Sequence, residues 1–475
     1  LPDSLSELKE GWCQNTPNLA NVTISPSNKN FQIIDSIIIG KSNIESEVFD
    51  IIIFVNRSIE KAIIPNYIKR ICPYSFSYCT NLKSVEFSEN SDLISIGRNS
   101  FMWCKSLQRI EFPNNSKLQL IEKEAFLRSS IRTLSIPSSL TDLSDGWCSE
   151  TSRLNNIFIS HVSKNFHYLN DQLLIGKSHT ESSYDKLLFA NRDITKVTIP
   201  TYIKRICSFS FSYCSNLESI EFSEGSELVS IGEGAFSYSS LCSISIPSKV
   251  EELHEGWCKW TSELTCVSIS EANPNFRNIE GKMIVGKSDI KSGVFDLLVF
   301  ANRNIECAKI PESVRRVSSF SFSYCSRLKS VEFCSNIESI GEYSFSCSSL
   351  REVKIPCKVV KIERNCFMWC KNLQKIELNS KIQSIEKETF AFTSLRSLII
   401  PSSVRFIGDD PFLSCNDLKM MEFLGDNLSI EKISCKNLAV LSFPNAKSVS
   451  INRYTLYLLP GCCSVFIPVG AKICY

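Results

Sequence analysis

The chain has 475 residues, more than a single globular core usually organises, and its charge is almost balanced, 52 Lys and Arg against 50 Asp and Glu for a formal net charge of +2. That balance excludes a global field drawing the chain to nucleic acid or to an anionic membrane surface. No uninterrupted apolar run is long enough for a membrane-spanning helix.

In chain order the first landmark is Gly11-Trp12-Cys13, which returns as Gly146-Trp147-Cys148 and Gly256-Trp257-Cys258. The sequence opens at Leu1 in mid-repeat, so further sequence is expected before it. Next come paired apolar runs at 36–55, copied at 171–190 and 281–301. Each copy has an apolar stretch, a Gly-Lys-Ser turn, a polar stretch and a second apolar stretch. Two such runs around a polar, glycine-led loop predict a β-hairpin, expected to protrude from the coil. In the third copy Gly281 to Ser288 matches the phosphate-binding loop pattern letter for letter. Its sister copies begin at Asp35 and Asp171, its loop positions are Met, Ile and Val, and no helix follows, which argues against nucleotide binding.

An Ile-Pro landmark follows at Ile64-Pro65, Ile199-Pro200 and Ile310-Pro311. After it Ser75-Phe76-Ser77-Tyr78-Cys79, then Leu82 and Val85-Glu86-Phe87, return almost verbatim as 210–222 and 321–333. A shorter period of about 22 to 25 residues underlies these copies, marked by Phe76, Phe101, Phe126, Phe211, Phe236, Phe322, Phe345, Phe367, Phe390 and Phe412. Alternation predicts strands at 82–87, 107–112, 217–222, 328–333, 373–378 and 418–423, stacked as a parallel sheet on one wall, with short strands and turns on the other. The fold class is therefore a mostly β, leucine-rich repeat solenoid over residues 1–475. Its superunits run over about 11–145, 146–255 and 256–415, with divergent C-terminal repeats or a cap at 416–475. The first superunit carries one extra rung, at Phe101-Met102-Trp103-Cys104. Leu456 to Tyr475, interrupted by Pro460, Pro468 and Lys472, is expected to form a final strand pair.

Of the 22 cysteines, six sit in a repeat slot, a spacing that argues against a disulfide framework. Cys79, Cys104, Cys214, Cys325, Cys370 and Cys415 each lie three residues after the marker aromatic, where sister units have Ser129, Ser239 and Thr393. A slot accepting Cys, Ser or Thr wants a small side chain facing a tight interior. A buried ladder of thiols is expected, with disulfides between adjacent rungs as the alternative; no CxxC pair or histidine cluster favours a metal. The histidines His161, His167, His179 and His254 have no counterparts in sister copies and read as isolated surface residues. Sequons at Asn21, Asn56, Asn114 and Asn427 fit a secreted or surface protein.

The unit Ile-Pro-x-x-Val-x-x-Ile-Gly-x-x-Ala-Phe-x-x-Cys-x-x-Leu-x-x-Ile-x-Phe resembles the BspA-like, Treponema-type leucine-rich repeat family, of the surface-protein type found in parasitic protists such as trichomonads. It stands here as Ile199 to Phe222, as Leu228 to Ile246 with Ile231-Gly232 and Ala235-Phe236, and as Ile310 to Phe333. The resemblance implies a non-enzymatic, surface or secreted, adhesin-like protein with no catalytic residues, cofactor, metal or small-molecule substrate. Its partner would be a host or cell-surface protein engaged over the concave strand wall. The residues projecting outward from those strands are the candidate contact set: Lys83, Glu86, Arg109, Glu111, Glu218, Glu221, Lys329, Glu332, Lys375 and Glu377. The alternative is an intracellular scaffold or regulatory interaction module, in the cytoplasm, using the same surface.

Overall fold

The computed structural model describes residues 1–475 apart from 114, 180–182, 452–463, 469 and 475. The described residues are strands and turns, without a helix, and the chain divides into two compact units, Leu1–Ser240 and Leu241–Tyr475.

In the first unit each rung gives one strand to each of two walls. The long-strand wall is the parallel series Lys61–Ile64, Ser84–Phe87, Arg109–Ile110, Thr133–Ile136 and Asn156–Ile159. The predicted strands are there, each starting about two residues later than alternation implied, because Leu82 and Leu107 are core residues of the preceding turn. The short-strand wall runs Ile51–Val55, Arg70–Ile71, Ser95–Ile96, Leu120–Ile121 and Asp142–Leu143.

Between the walls lies a third face made of β-turns, which the sequence reading did not anticipate. Its rungs are also hydrogen-bonded: the amides of Tyr74, Phe76 and Tyr78 donate to the carbonyls of Arg98, Ser100 and Met102 at 3.1, 2.9 and 2.7 Å. The turns require left-handed residues, at φ 62° for Tyr74 and 61° for Tyr78, and sister rungs place Asn99 or Gly146 there. Asn and Gly take that conformation at least cost.

The core between the faces is a column of stacked rings. Phe76 and Phe101 stack at 4.9 Å between centroids, Phe101 and Phe126 at 5.6 Å, and Trp147 meets Phe126 edge-on at 6.3 Å. The second unit repeats the plan, with Phe322, Phe345, Phe367, Phe390 and Phe412 stacked in succession at 4.9, 5.5, 5.8 and 5.9 Å. The small-residue slot lies beside this column: Cys79, Cys104, Cys214, Cys325 and Cys370 have no exposed surface and Cys415 is 1% exposed. Their thiols donate to main-chain carbonyls, Cys104 to Phe76 at 3.3 Å and Cys415 to Phe390 at 3.0 Å.

The expected hairpins are present and are the last two strands of a three-stranded antiparallel ribbon: Phe31–Ile34, Ile37–Gly40 and Ile51–Val55 in the first copy, Phe276–Ile279, Met283–Gly286 and Leu297–Ala301 in the third. The ribbons do not stand out of the coil as expected. The last strand of each pairs in parallel with the next short-wall strand, Ile51–Val55 with Arg70–Ile71 and Leu297–Ala301 with Arg316–Val317. The reason is visible in the runs: apolar on consecutive residues, they need cover on both faces. Ile37, Ile39, Ile52 and Val55 face the main core, and Ile38, Ile53 and Phe54 meet Leu5, Leu8, Trp12 and Leu19 from the preceding segment. The exposed parts are the connections, with Ile44 and Val48 in one and Ile290 and Val294 in the other, and the middle of the first strand, Gln32 and Ile33 in the first copy.

At the C-terminal end the expected strand pair is corrected. Ser464–Phe466 continues the long wall from Val440–Ser442, and Lys472–Cys474 continues the short wall from Ser448–Ile451. Each strand serves a different wall because the rung rule, one strand per wall, persists; residues 452–463, including Pro460, and the sequon at Asn114 lie outside the described residues.

Candidate functional site

Along each long-wall strand alternate side chains enter the core, as in Lys61–Ile64, whose Ala62 and Ile64 are buried while Lys61 and Ile63 are exposed. Because rungs pair in register, the outward side chains form columns: Lys61 opposes Ser84 and Ile63 opposes Glu86. The ten candidate residues, Lys83, Glu86, Arg109, Glu111, Glu218 and Glu221 in the first unit and Lys329, Glu332, Lys375 and Glu377 in the second, are all exposed, with Lys83, Glu218 and Lys329 one residue before their strands.

The structure adds something the sequence reading missed: most of these residues are ion-paired, several with residues outside the candidate set. Lys61 meets Glu86 at 2.7 Å, Lys83 meets Glu60 at 2.7 Å, and Arg109 pairs with Glu111. In the second unit Lys329 meets Glu306 at 3.0 Å, Lys309 meets Glu332 at 3.3 Å and Lys375 meets Glu377 at 2.7 Å. Lys196 and Glu218 are looser, at 4.0 Å. The signal was present in the sequence, since Glu60-Lys61 and Glu306-Cys307-Ala308-Lys309 precede the same Ile-Pro landmark, yet only strand register reveals who faces whom. Hydrogen bonds from Lys83, Lys329 and Lys375 hold the carboxyls of Glu60, Glu306 and Glu377 below their ordinary range. Pairs this exposed contribute little to stability, about 0 to 1 kcal/mol. Their effect is a surface of mixed sign: Lys309 opposes Glu332 and Lys354 opposes Glu377 in the second unit, whereas in the first Ile63 opposes Glu86.

The Gly-Lys-Ser turns have a structural account. A Cβ on Gly286 would lie 2.8 Å from the Phe276 ring, and one on Gly176 2.7 Å from Leu188. The lysine lies over an aromatic ring, Lys41 on Phe49 at 5.2 Å and Lys287 on Phe295 at 5.4 Å. The serine closes the loop: Ser42 donates its amide and its hydroxyl to Asp50, both at 2.8 Å, and Ser288 does the same to Asp296 at 2.9 and 2.7 Å. Desolvation pushes the Asp50 carboxyl up, but the Ser42 donors and Lys69 together outweigh it and leave its pKa below the ordinary value.

After each ribbon an Asn-Arg dipeptide supplies a buried arginine that the sequence reading passed over. Arg57, Arg192 and Arg303 are 4%, 4% and 2% exposed, and their guanidinium groups lie over Phe54, Phe189 and Phe300 at 4.5, 4.4 and 4.6 Å. Each donates to a carbonyl of the next rung, Ser75, Ser210 or Ser321, at 2.8, 2.9 and 3.0 Å. These arginines clamp the ribbon to the following rung.

Stacked two-wall coils with a buried aromatic column and a small-residue slot define a leucine-rich repeat solenoid. The family model described as "BspA type Leucine rich repeat region" matches in six copies over residues 42–173, 183–297 and 296–419, so the chain belongs to the BspA-type leucine-rich repeat family. Such repeat proteins generally work through protein interaction and not catalysis. Among solved structures, the pneumococcal vaccine antigen PcpA is similar at 16% identity and TM-score 0.50, covering 92% of this chain and 98% of that one. A leucine-rich cell surface protein of Faecalibacterium prausnitzii is similar at 18% identity and TM-score 0.40, covering 92% and 94%. A leucine-rich repeat protein of Eubacterium ventriosum is similar at 16% identity and TM-score 0.47, covering 86% and 92%. A search of curated proteins finds no match. Among the described residues no helix is long and apolar enough to cross a membrane.

Proposed function

We propose that this chain is a non-enzymatic, adhesin-like binding protein, displayed or secreted, that engages a protein partner through the outer face of its long-strand wall. The observation that carries this reading is the presentation of exposed Lys and Glu columns on successive hydrogen-bonded sheets of the long-strand wall, with the ten candidate residues all exposed. A face of mixed sign at fixed spacing discriminates partners by charge complementarity. Extended strand faces, concave where a solenoid curves, are what repeat arrays offer a protein partner. Display follows the usual setting of the family the chain belongs to.

A second reading, an intracellular scaffold using the same face, is favoured by the exposed cysteines Cys242, Cys266, Cys307 and Cys357, unusual in an oxidising compartment. Labelling intact source cells with a membrane-impermeant reagent separates the two: labelling is expected, and protection lost only on lysis moves the scaffold reading to first place. The face itself is tested by a variant carrying Glu86→Lys, Glu111→Lys, Glu332→Lys and Glu377→Lys. Its binding to immobilised extracellular matrix and host-cell protein should fall at least tenfold with an unchanged circular dichroism spectrum; unchanged binding places the contact elsewhere.

A further inference from the structure

The long-strand wall of the first unit is interrupted. Asn156–Ile159 ends the sheet that precedes the second ribbon, and Lys196–Ile199 begins another after it, paired among the described residues with Ser219–Phe222 alone. The phase of that pairing is fixed by the Glu218 amide donating to the Thr195 carbonyl at 2.9 Å and the Ser223 amide donating to Ile199 at 3.1 Å. In a parallel ladder the odd-numbered residues therefore turn their main-chain groups toward Ser219–Phe222, and Lys196 and Thr198 turn theirs to the open edge. A cavity of about 290 Å³ lies along this edge, between it and the ribbon's first turn, lined by Leu169, Gln172, Leu173, Lys196, Thr198 and Glu221 among others.

The equivalent ground differs between copies: the first has the edge Lys61–Ile64 with Ile63 in the place of Thr198, and the third is guarded. In the third copy the Asn278 side-chain amide donates to the Val267 carbonyl at 2.9 Å, on the strand before the ribbon, and the place of Thr198 is taken by Lys309, a charged edge residue paired with Glu332. In the second copy Tyr168 stands where Asn278 does and its hydroxyl goes to Asn191. Charged residues on an edge resist pairing with another strand; a small neutral Thr198 does not.

We propose that the edge Lys196–Ile199 is a docking site for an extended peptide segment of a protein partner, which adds to it as a further strand. Two main-chain donors and two acceptors spaced one residue apart are the recognition element of strand addition. Charge sets the side-chain preference. Among the described residues Lys196 has one ion pair, the loose, exposed contact with Glu218 at 4.0 Å, so an acidic residue level with it completes the pair, while the alternate residues, small and apolar, face Leu173 and the cavity. This site is main-chain and local, and does not rest on the glutamate columns; the four-glutamate variant above leaves it intact.

The test uses the whole chain and a fluorescent synthetic peptide of alternating glutamate and valine, followed by anisotropy and by amide hydrogen exchange. Saturable binding is expected, with slowed exchange at Lys196 and Thr198. Thr198→Pro, which removes an outward amide and leaves the ladder to Ser219–Phe222, should weaken binding about tenfold, the loss of roughly one hydrogen bond. Lys196→Glu should weaken it further. The same peptide N-methylated at alternate residues should fail to bind the unaltered protein, an arm that holds even if Thr198→Pro folds poorly. Binding that survives N-methylation, or that Lys196→Glu abolishes while Thr198→Pro leaves it unchanged, makes the site a charge patch and overturns the proposal. Concentration-dependent dimerisation lost in Thr198→Pro makes the occupant a second copy of this chain and overturns it equally.

Discussion

Phe345 shows what one side chain does in this fold: fully buried, it stacks on Phe322 and Phe367 in neighbouring rungs, so Phe345→Ala should cost about 3 to 5 kcal/mol in denaturant titrations. Arg303 holds the planar fork geometry that a lysine cannot reproduce, donating also to Thr261 at 3.2 Å. Arg303→Lys should therefore destabilise by about 2 to 3 kcal/mol, read in the same titration. The thiols divide by burial. Desolvation pushes Cys79, Cys214 and Cys325 up to about 11 and Cys370 up to about 12, so all are protonated and unreactive at neutral pH. Among the described cysteines a thiol-reactive probe should modify Cys242, Cys266, Cys307 and Cys357 in the native protein and these buried thiols only after unfolding. Rapid native labelling of Cys370 would contradict that burial.

The ribbon is the element on which the chain's regular pattern turns. Gly286→Ala drives a methyl against the Phe276 ring and the Val299 side chain, at 2.8 and 3.2 Å, and should lower stability by about 1 to 3 kcal/mol, seen as an earlier thermal transition. The connections also give the element an acid limit. Burial pushes the Asp296 carboxyl up, and the Ser288 hydroxyl and amide outweigh that, leaving its pKa, like that of Asp50, below the unfolded value. A depressed carboxylate contributes stability that is fully present above its unfolded pKa and is lost as pH falls through the folded one. Thermal melts between pH 6 and pH 2 should therefore fall on the acid side, and the fall should be shallower in a Ser42→Ala, Ser288→Ala double variant. An identical acid limb in that variant would remove these carboxylates from the account.

At the scale of the molecule, each unit carries its own buried cluster, from Ile37 to Cys207 in the first and from Met283 to Val449 in the second. Residues 1–240 expressed alone should thus give a β-type circular dichroism spectrum and a cooperative melt, since in a repeat array a rung depends on its neighbours and not on distant ones. A fragment without a melting transition would show that its core needs more than nearest-neighbour packing. The walls, the aromatic column, the small-residue slot and the outward position of Glu86, Arg109, Glu221, Glu332, Lys375 and Glu377 were legible because strand alternation and a fixed period translate directly into inside and outside, whereas Lys83, Glu218 and Lys329 stand one residue before their strands. The ribbon's first strand, Phe31–Ile34, was not, since Gln32 and Ile33 are exposed and the segment lacks a strong pattern. Nor was the ribbon's place within the wall, which depends on what covers its second face. The cross-rung ion pairs and the buried arginines stayed hidden for a related reason: they join residues about 20 or more positions apart, whose meeting is fixed by register and not by local sequence.

The extra rung of the first superunit sits between its neighbours without disturbing them, Arg109–Ile110 pairing with Ser84–Phe87 on one side and Thr133–Ile136 on the other. Every rung accepts the next through main-chain atoms and a handful of core positions, so a whole rung can be added or deleted as one event and still leave a folded chain. Copy number then sets how much outer face a chain presents, while point substitutions at outward positions reset the charge on that face and leave the core that stacks the rungs unchanged.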